Sequence, residues 1–148
     1  MSKKEQDLNS IVKEAVDFHG HLGPFLVIGI RMGLIGLREL KTKRGDPKLQ
    51  ATTILKRKVP FSCIIDGIQV TTQCTIGNGK LKLQSTQETI SAQFKLNRES
   101  QVTITLKPTK FEELKKSMPK SAQSYKNIQL AREIASSPEK ELFTIEKK

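Results

Sequence analysis

The chain has 148 residues, 36% hydrophobic and 28% charged, the size and balance of one soluble globular domain, which excludes a disordered polymer and leaves little room for a second core. Lys and Arg number 26 against 15 Asp and Glu, a net charge of +11, but the cations are spread along the chain and gather into no basic arm. One Tyr and no Trp leave few stacking platforms for single strands, so nucleic-acid binding is an alternative rather than the expectation.

The opening Met1-Ser2-Lys3-Lys4 has no apolar run behind its lysines, so a secretory signal is not expected and the cytoplasm is the expected location. Residues 6–18 carry Leu8, Ile11, Val12, Ala15 and Val16, a spacing that predicts a short amphipathic helix. Gly20 ends it. Pro24 opens a second helix to about residue 40, Pro being favoured in a first turn. Its body holds Gly29, Gly33 and Gly36, which predicts burial with close backbone contacts. The apolar run 22–37 is broken by Pro24 and Arg31 and falls short of the roughly 20 residues of a spanning helix, so no membrane association is expected.

Residues 50–58 are β-leaning and are predicted as a strand closed by Pro60. Ser62 is an expected N-cap for a helix from Cys63 to about Thr72. Gly77-Asn78-Gly79-Lys80 is a turn, and three strands are expected at 80–85, 89–96 and 101–107, with Asn97-Arg98-Glu99-Ser100 as a hairpin connection. Helices follow at about 110–118 and 122–135, and residues 136–148 are expected to be weakly ordered. The fold class is α+β: a single mixed or antiparallel sheet with helices packed on it, in one domain spanning 1–148.

Both histidines of the chain lie in Phe18-His19-Gly20-His21-Leu22-Gly23-Pro24-Phe25. Residues i and i+2 of a turning backbone point to one side, and two imidazoles together form half of a transition-metal site. Cys63, expected at a helix N-terminus beside unpaired amides, is placed to favour thiolate. Asp66 shares its helix face; Gln69 and Cys74 border that side. A straight helix separates Cys63 and Cys74 by about 16 Å, so the metal reading takes Cys63 with His19 and His21. Two His and one Cys with an open position make the composition of a catalytic zinc site, and Asp66 is the candidate for proton transfer or for orienting a ligand. No Cys-x-x-Cys pair is present, and both cysteines are expected as thiols. Arg31 and Lys80 are further pocket candidates, Lys80 as a cation beside turn amides that could hold an anion.

The block around His19 and His21, followed by Gly29-Ile30-Arg31-Met32-Gly33, and the block Ser62-Cys63-Ile64-Ile65-Asp66-Gly67-Ile68-Gln69 with Thr72-Gln73-Cys74-Thr75-Ile76-Gly77 together resemble the FmdE family, which takes its name from formylmethanofuran dehydrogenase. The resemblance covers about residues 8–106. It implies an α+β core of about residues 8–107, similar in topology to the glyceraldehyde-phosphate dehydrogenase C-terminal domain, with a C-terminal helical extension at about 109–148. It also implies a divalent metal, zinc foremost, near His19, His21 and Cys63, a homodimer, and an archaeal, methanogenesis-related setting. In that setting the chain would be either an accessory subunit of a larger redox enzyme complex or a stand-alone protein. Many members carry Cys where this chain has Gly23, which argues against a closed four-ligand site, and many order the turn Gly-Lys-Gly-Asn. This chain also lacks the cysteines of a C-terminal zinc ribbon. Nor does it hold an iron–sulfur cysteine cluster, so the family's named redox step is not expected of it. The alternatives are a non-catalytic interaction subunit without metal and a basic nucleic-acid-binding protein.

Overall fold

The structure is a computed structural model describing residues 3–119 and 124–148. Its elements, in chain order, are α1 (Lys3–His19), α2 (Pro24–Glu39), β1 (Gln50–Ile54), α3 (Cys63–Thr72), β2 (Leu81–Gln84), β3 (Ser91–Asn97), β4 (Ser100–Leu106), α4 (Pro108–Ser117), α5 (Tyr125–Ser136), α6 (Glu139–Leu142) and β5 (Phe143–Lys147). The strands form one mixed sheet in the order β2-β1-β3-β4-β5. Only β1 and β2 run parallel, with α3 as the crossover between them; every other pair is antiparallel. The α+β expectation holds.

Alternation along the strands buries Ala51 and Thr53, Ala92 and Phe94, and Val102, Ile104 and Leu106, residues on one pleated face. Helix α2 lies over that face, and Gly36 meets the Phe94 ring there. The apolar stripe of α1 packs Ala15 against Leu26 and Ile30 of α2.

The close approach that matters for function is α2 on α3. A Cβ on Gly29 would stand 2.2 Å from the Ile64 carbonyl oxygen, and one on Gly67 would stand 2.4 Å from that of Leu26. Only hydrogen fits between these backbones. The crossing fixes the start of α3, and Cys63 with it, against the start of α2.

Two expectations need correction. The predicted strand at 50–58 stops at Ile54, because Lys56-Arg57-Lys58 has no residue to offer the core and runs out as a largely exposed loop. The tail expected to be weakly ordered is structured: Leu142 and Phe143 are buried, and β5 pairs with β4 from Leu106–Phe143 to Val102–Lys147. Partner hydrogen bonds along β4 stabilise a strand too short to announce itself. The helix predicted at 122–135 is observed as α5 from Tyr125; residues 122 and 123 lie outside the described residues.

Candidate metal centre

Helix α1 ends at His19, and Gly20 takes φ +104° while its N–H donates to Val16 O at 2.7 Å. That left-handed conformation suits glycine. It reverses the chain, so the His19 and His21 rings stack with centroids 4.6 Å apart. Gly23, extended at φ −150°, then leads into Pro24 at the first turn of α2.

Cys63 arrives from the other side as the first residue of α3. One nitrogen of His19, one of His21 and the Cys63 sulfur lie within 4.8 Å of one another. The spacing suits donors that surround a single ion at roughly 2.0–2.3 Å from each. Their chemistry alone groups these three residues in the sequence; the fold brings them together in space.

Asp66 Oδ2 accepts from His19 Nδ1 at 2.6 Å. With the proton on Nδ1, the lone pair sits on Nε2. Nε2 is buried and has no hydrogen-bond partner, a state that normally calls for an explanation. A metal ligated there supplies one, and the arrangement is the carboxylate–histidine pairing that orients metal ligands. Gln69 Nε2 in turn donates to Asp66 Oδ1 at 3.1 Å, so both carboxylate oxygens are engaged, and Gln69 Oε1 accepts from Ile76 N at 3.3 Å.

Burial lowers the His21 pKa, with the adjacent His19 imidazole adding to the effect, which favours the neutral form that can ligate. The Cys63 thiol differs from expectation. Burial pushes it up to about 11, with the Asp66 charge adding to the effect. The amides expected to stabilise thiolate offset this only in part: a bond from the Cys63 N–H lowers the pKa, but that N–H and those of Ile64 and Ile65 also donate to the carbonyls of Pro60, Phe61 and Ser62 at 3.1, 3.2 and 3.0 Å. Ser62 stands at the N-cap position, but its side chain makes no capping bond.

The remaining candidates lie elsewhere. Cys74 follows the left-handed Gln73 beyond the other end of α3 and donates to Leu49 O at 3.4 Å. Arg31 donates to Ile134 O at 2.8 Å and to Ser137 O, tying α2 to the end of α5. Lys80 acts electrostatically on Asp46 and Cys74, away from the imidazoles.

His21 and Cys63 also line a cavity of about 170 Å³. Phe25 forms part of its wall and is braced edge-on by Phe61 and Phe111, with centroids 5.3 and 6.4 Å away. Asn127 of α5 borders the cavity, 2% exposed, and its Nδ2 donates to Leu22 O at 3.5 Å. Sequence reasoning misses Asn127. Its one signal is an amide in phase with the buried Leu130, Ala131 and Ile134 of the same helix.

Among the described residues no helix is long and apolar enough to cross a membrane. A curated relative, a probable S-adenosyl-L-methionine-binding protein from Archaeoglobus fulgidus, is 34% identical over 77 residues; these make up 52% of this chain and 21% of the relative. The chain thus spans about a fifth of that relative's length. A family model described as "FmdE, Molybdenum formylmethanofuran dehydrogenase operon" matches residues 18–144. That match takes in both imidazoles, the Cys63 helix, and the C-terminal region that the sequence motifs alone did not reach. The chain belongs to the FmdE family.

Proposed function

We propose that this chain is a divalent metal-binding protein in which His19 Nε2, one His21 nitrogen and the Cys63 thiolate hold the ion. The observation that carries the reading is a His19 whose Nδ1 is held by Asp66, whose buried Nε2 has no hydrogen-bond partner among the described residues, and which offers a nitrogen within 4.8 Å of donors on His21 and Cys63. Two imidazoles and one thiolate favour zinc over the hard cations magnesium and calcium. Three protein donors leave a position open on the side of the cavity that His21 and Cys63 line, the pattern of a catalytic rather than a structural site.

When bound, the ion supplies a Lewis acid able to polarise a carbonyl or lower the pKa of water. The chain's own residues do the rest. Asp66 fixes the tautomer and tilt of His19, Gln69 fixes Asp66, and Asn127 holds the Leu22 carbonyl beside His21. Asp66 is therefore a positioning residue in this reading rather than a free base. The setting in which the site works is the cytoplasm, with the family's formylmethanofuran dehydrogenase as the candidate larger partner and self-association as a homodimer. The ligand in the relative's name is not carried over, because the matched 77 residues make up 21% of that relative.

Metal analysis of the untagged protein tests the proposal, backed by cobalt substitution. About one zinc per chain, and a cobalt form with a thiolate-to-metal charge-transfer band that disappears in Cys63→Ser, are expected. Protein that binds neither ion above background, while keeping its thermal midpoint, overturns it.

A further inference from the structure

The cavity beside the donor set has a definite chemistry. Val59 and Pro60 form one side, Met118 and Pro119 lie on the α4 side, and among the described residues no Asp, Glu, Lys or Arg lines it. Apart from the ion proposed at His21 and Cys63, a charged group entering would lose hydration with no counter-ion from the described lining residues to replace it. An apolar cavity of about 150 Å³ accommodates benzene. The space here, about 170 Å³, fits an uncharged group of similar size.

The lip of the cavity has the opposite character. Val59 is 70% exposed and directly follows Lys56-Arg57-Lys58. Residues 55–65 contain these three cations and no acidic residue. Some cations elsewhere are neutralised by carboxylates: Arg38 by Glu39 and Glu139, Arg44 by Glu14, Lys115 by Glu112. Among the described residues, Lys56, Arg57 and Lys58 form no ion pair; the contact given for their side chains is Arg57 Nε to Ser85 Oγ, at 3.5 Å. Positive charge on the segment that leads into Val59, at the wall of a largely apolar cavity, fits a ligand divided the same way.

We infer that the cavity receives the uncharged, apolar end of a small ligand whose anionic tail, a phosphate or a carboxylate, lies along Lys56, Arg57 and Lys58. This deepens the proposed function by naming a ligand class, and it rests on the metal reading for how the inner end of the ligand is held. The tail contacts and the apolar fit are independent of the ion.

Titration of the full-length protein, followed by amide chemical shifts, tests it with inorganic phosphate, ethyl phosphate, butyl phosphate and pentanoate. Affinity is expected to rise about fourfold for each methylene added to the alkyl phosphate, with shifts at Phe25, Val59 and Asn127. The tighter of butyl phosphate and pentanoate identifies the tail. Replacing Lys56, Arg57 and Lys58 together with Ala is expected to weaken butyl phosphate at least about tenfold at low salt, with the thermal midpoint unchanged because these side chains lie outside the core. Inorganic phosphate binding as tightly as butyl phosphate, or a triple variant that binds butyl phosphate undiminished, overturns the inference. On cobalt-loaded protein, 4-mercaptobutyl phosphate is expected to shift the visible bands and bind more tightly than butyl phosphate. If the protein takes up no cobalt, the metal centre fails, while the alkyl phosphate series still decides the ligand class.

Discussion

Helix α3 has a buried cysteine at each end, and the two ends do different things. Cys63 and Cys74 are 7% and 1% exposed, and burial raises the pKa of both thiols. Both are buried, and both thiols are raised in the same direction. Their neighbours differ. Cys74 is sealed by backbone and hydroxyl partners, with Thr72 Oγ1 accepting from its N–H at 3.1 Å and Leu49 O accepting from its thiol. Cys63 faces two imidazoles and a cavity. A buried thiol alone reports packing; a buried thiol among donors with unused lone pairs reports a site.

The largest expected effects break that comparison directly. Cys63→Ser or His21→Ala removes one of the three proposed ligands. Structural zinc affinities of about 10–16 kcal/mol, shared among a few ligands, imply a loss of about a thousandfold per ligand. Cys74→Ser should leave affinity unchanged. Competition against a chromophoric chelator measures both, and a Cys74→Ser protein that also loses its metal would erase the distinction between the two ends.

Asp66→Asn sharpens it. The amide keeps the shape but gives up the charge that holds His19 Nδ1–H, and a second-sphere loss of this kind costs about 10- to 100-fold in metal affinity. Gln69→Leu should follow in the same direction with a smaller effect, because it acts on His19 only through Asp66.

The acidity of Cys63 gives a pH test on metal-free protein. Its folded-state pKa is raised to about 11 from an ordinary value of 9.0. Below pH 9 the thiol is protonated in both folded and unfolded chains, so its contribution to stability is fully present. Between about pH 9 and 11 the unfolded chain releases the proton and the folded one does not, and the contribution is lost. Wild type should therefore lose on the order of 2 kcal/mol across that window relative to Cys63→Ala. Denaturant melts at pH 8, 9.5 and 11 measure the difference, and parallel curves for the two proteins would refute it. Metal uptake has the complementary dependence, since the ion must displace that proton and affinity rises with pH.

Much of the site was legible because it is local. His19-x-His21, the Gly20 stop, Pro24 opening α2 and Cys63 opening α3 are short-range signals, and each stands where its chemistry predicts. What brings the two blocks together is not local. The meeting of Gly29 with Ile64 and of Gly67 with Leu26 depends on which glycines pair across a helix crossing, and spacing along the chain carries no such pairing. Donor chemistry points to that association and the motif resemblance to FmdE supports it, but the helix crossing that realises it is visible only in the fold. Strand β5 was missed for a related reason. Phe143-Thr144-Ile145-Glu146-Lys147 shows one short alternation after Ser136-Ser137-Pro138, and its pairing is decided by β4. Asn127 was missed because a polar residue on an apolar helix face looks like a flaw in the stripe until the loop it touches is known.

The smallest expected effect concerns Ser62, and it separates a capping side chain from a capping position. Ser124 caps α5 with its hydroxyl, accepting from Asn127 N at 3.3 Å, and Ser124→Ala should cost about 1 kcal/mol. Ser62 makes no such bond, because the amides it would satisfy already donate to the carbonyls of the turn before α3. Ser62→Ala should therefore change the unfolding free energy by less than about 0.5 kcal/mol and leave metal affinity untouched. A loss near that of Ser124→Ala would mean that the hydroxyl does cap α3. In that case a side chain as well as the preceding turn would occupy the amides at the start of α3, leaving still less positive character to stabilise a Cys63 thiolate.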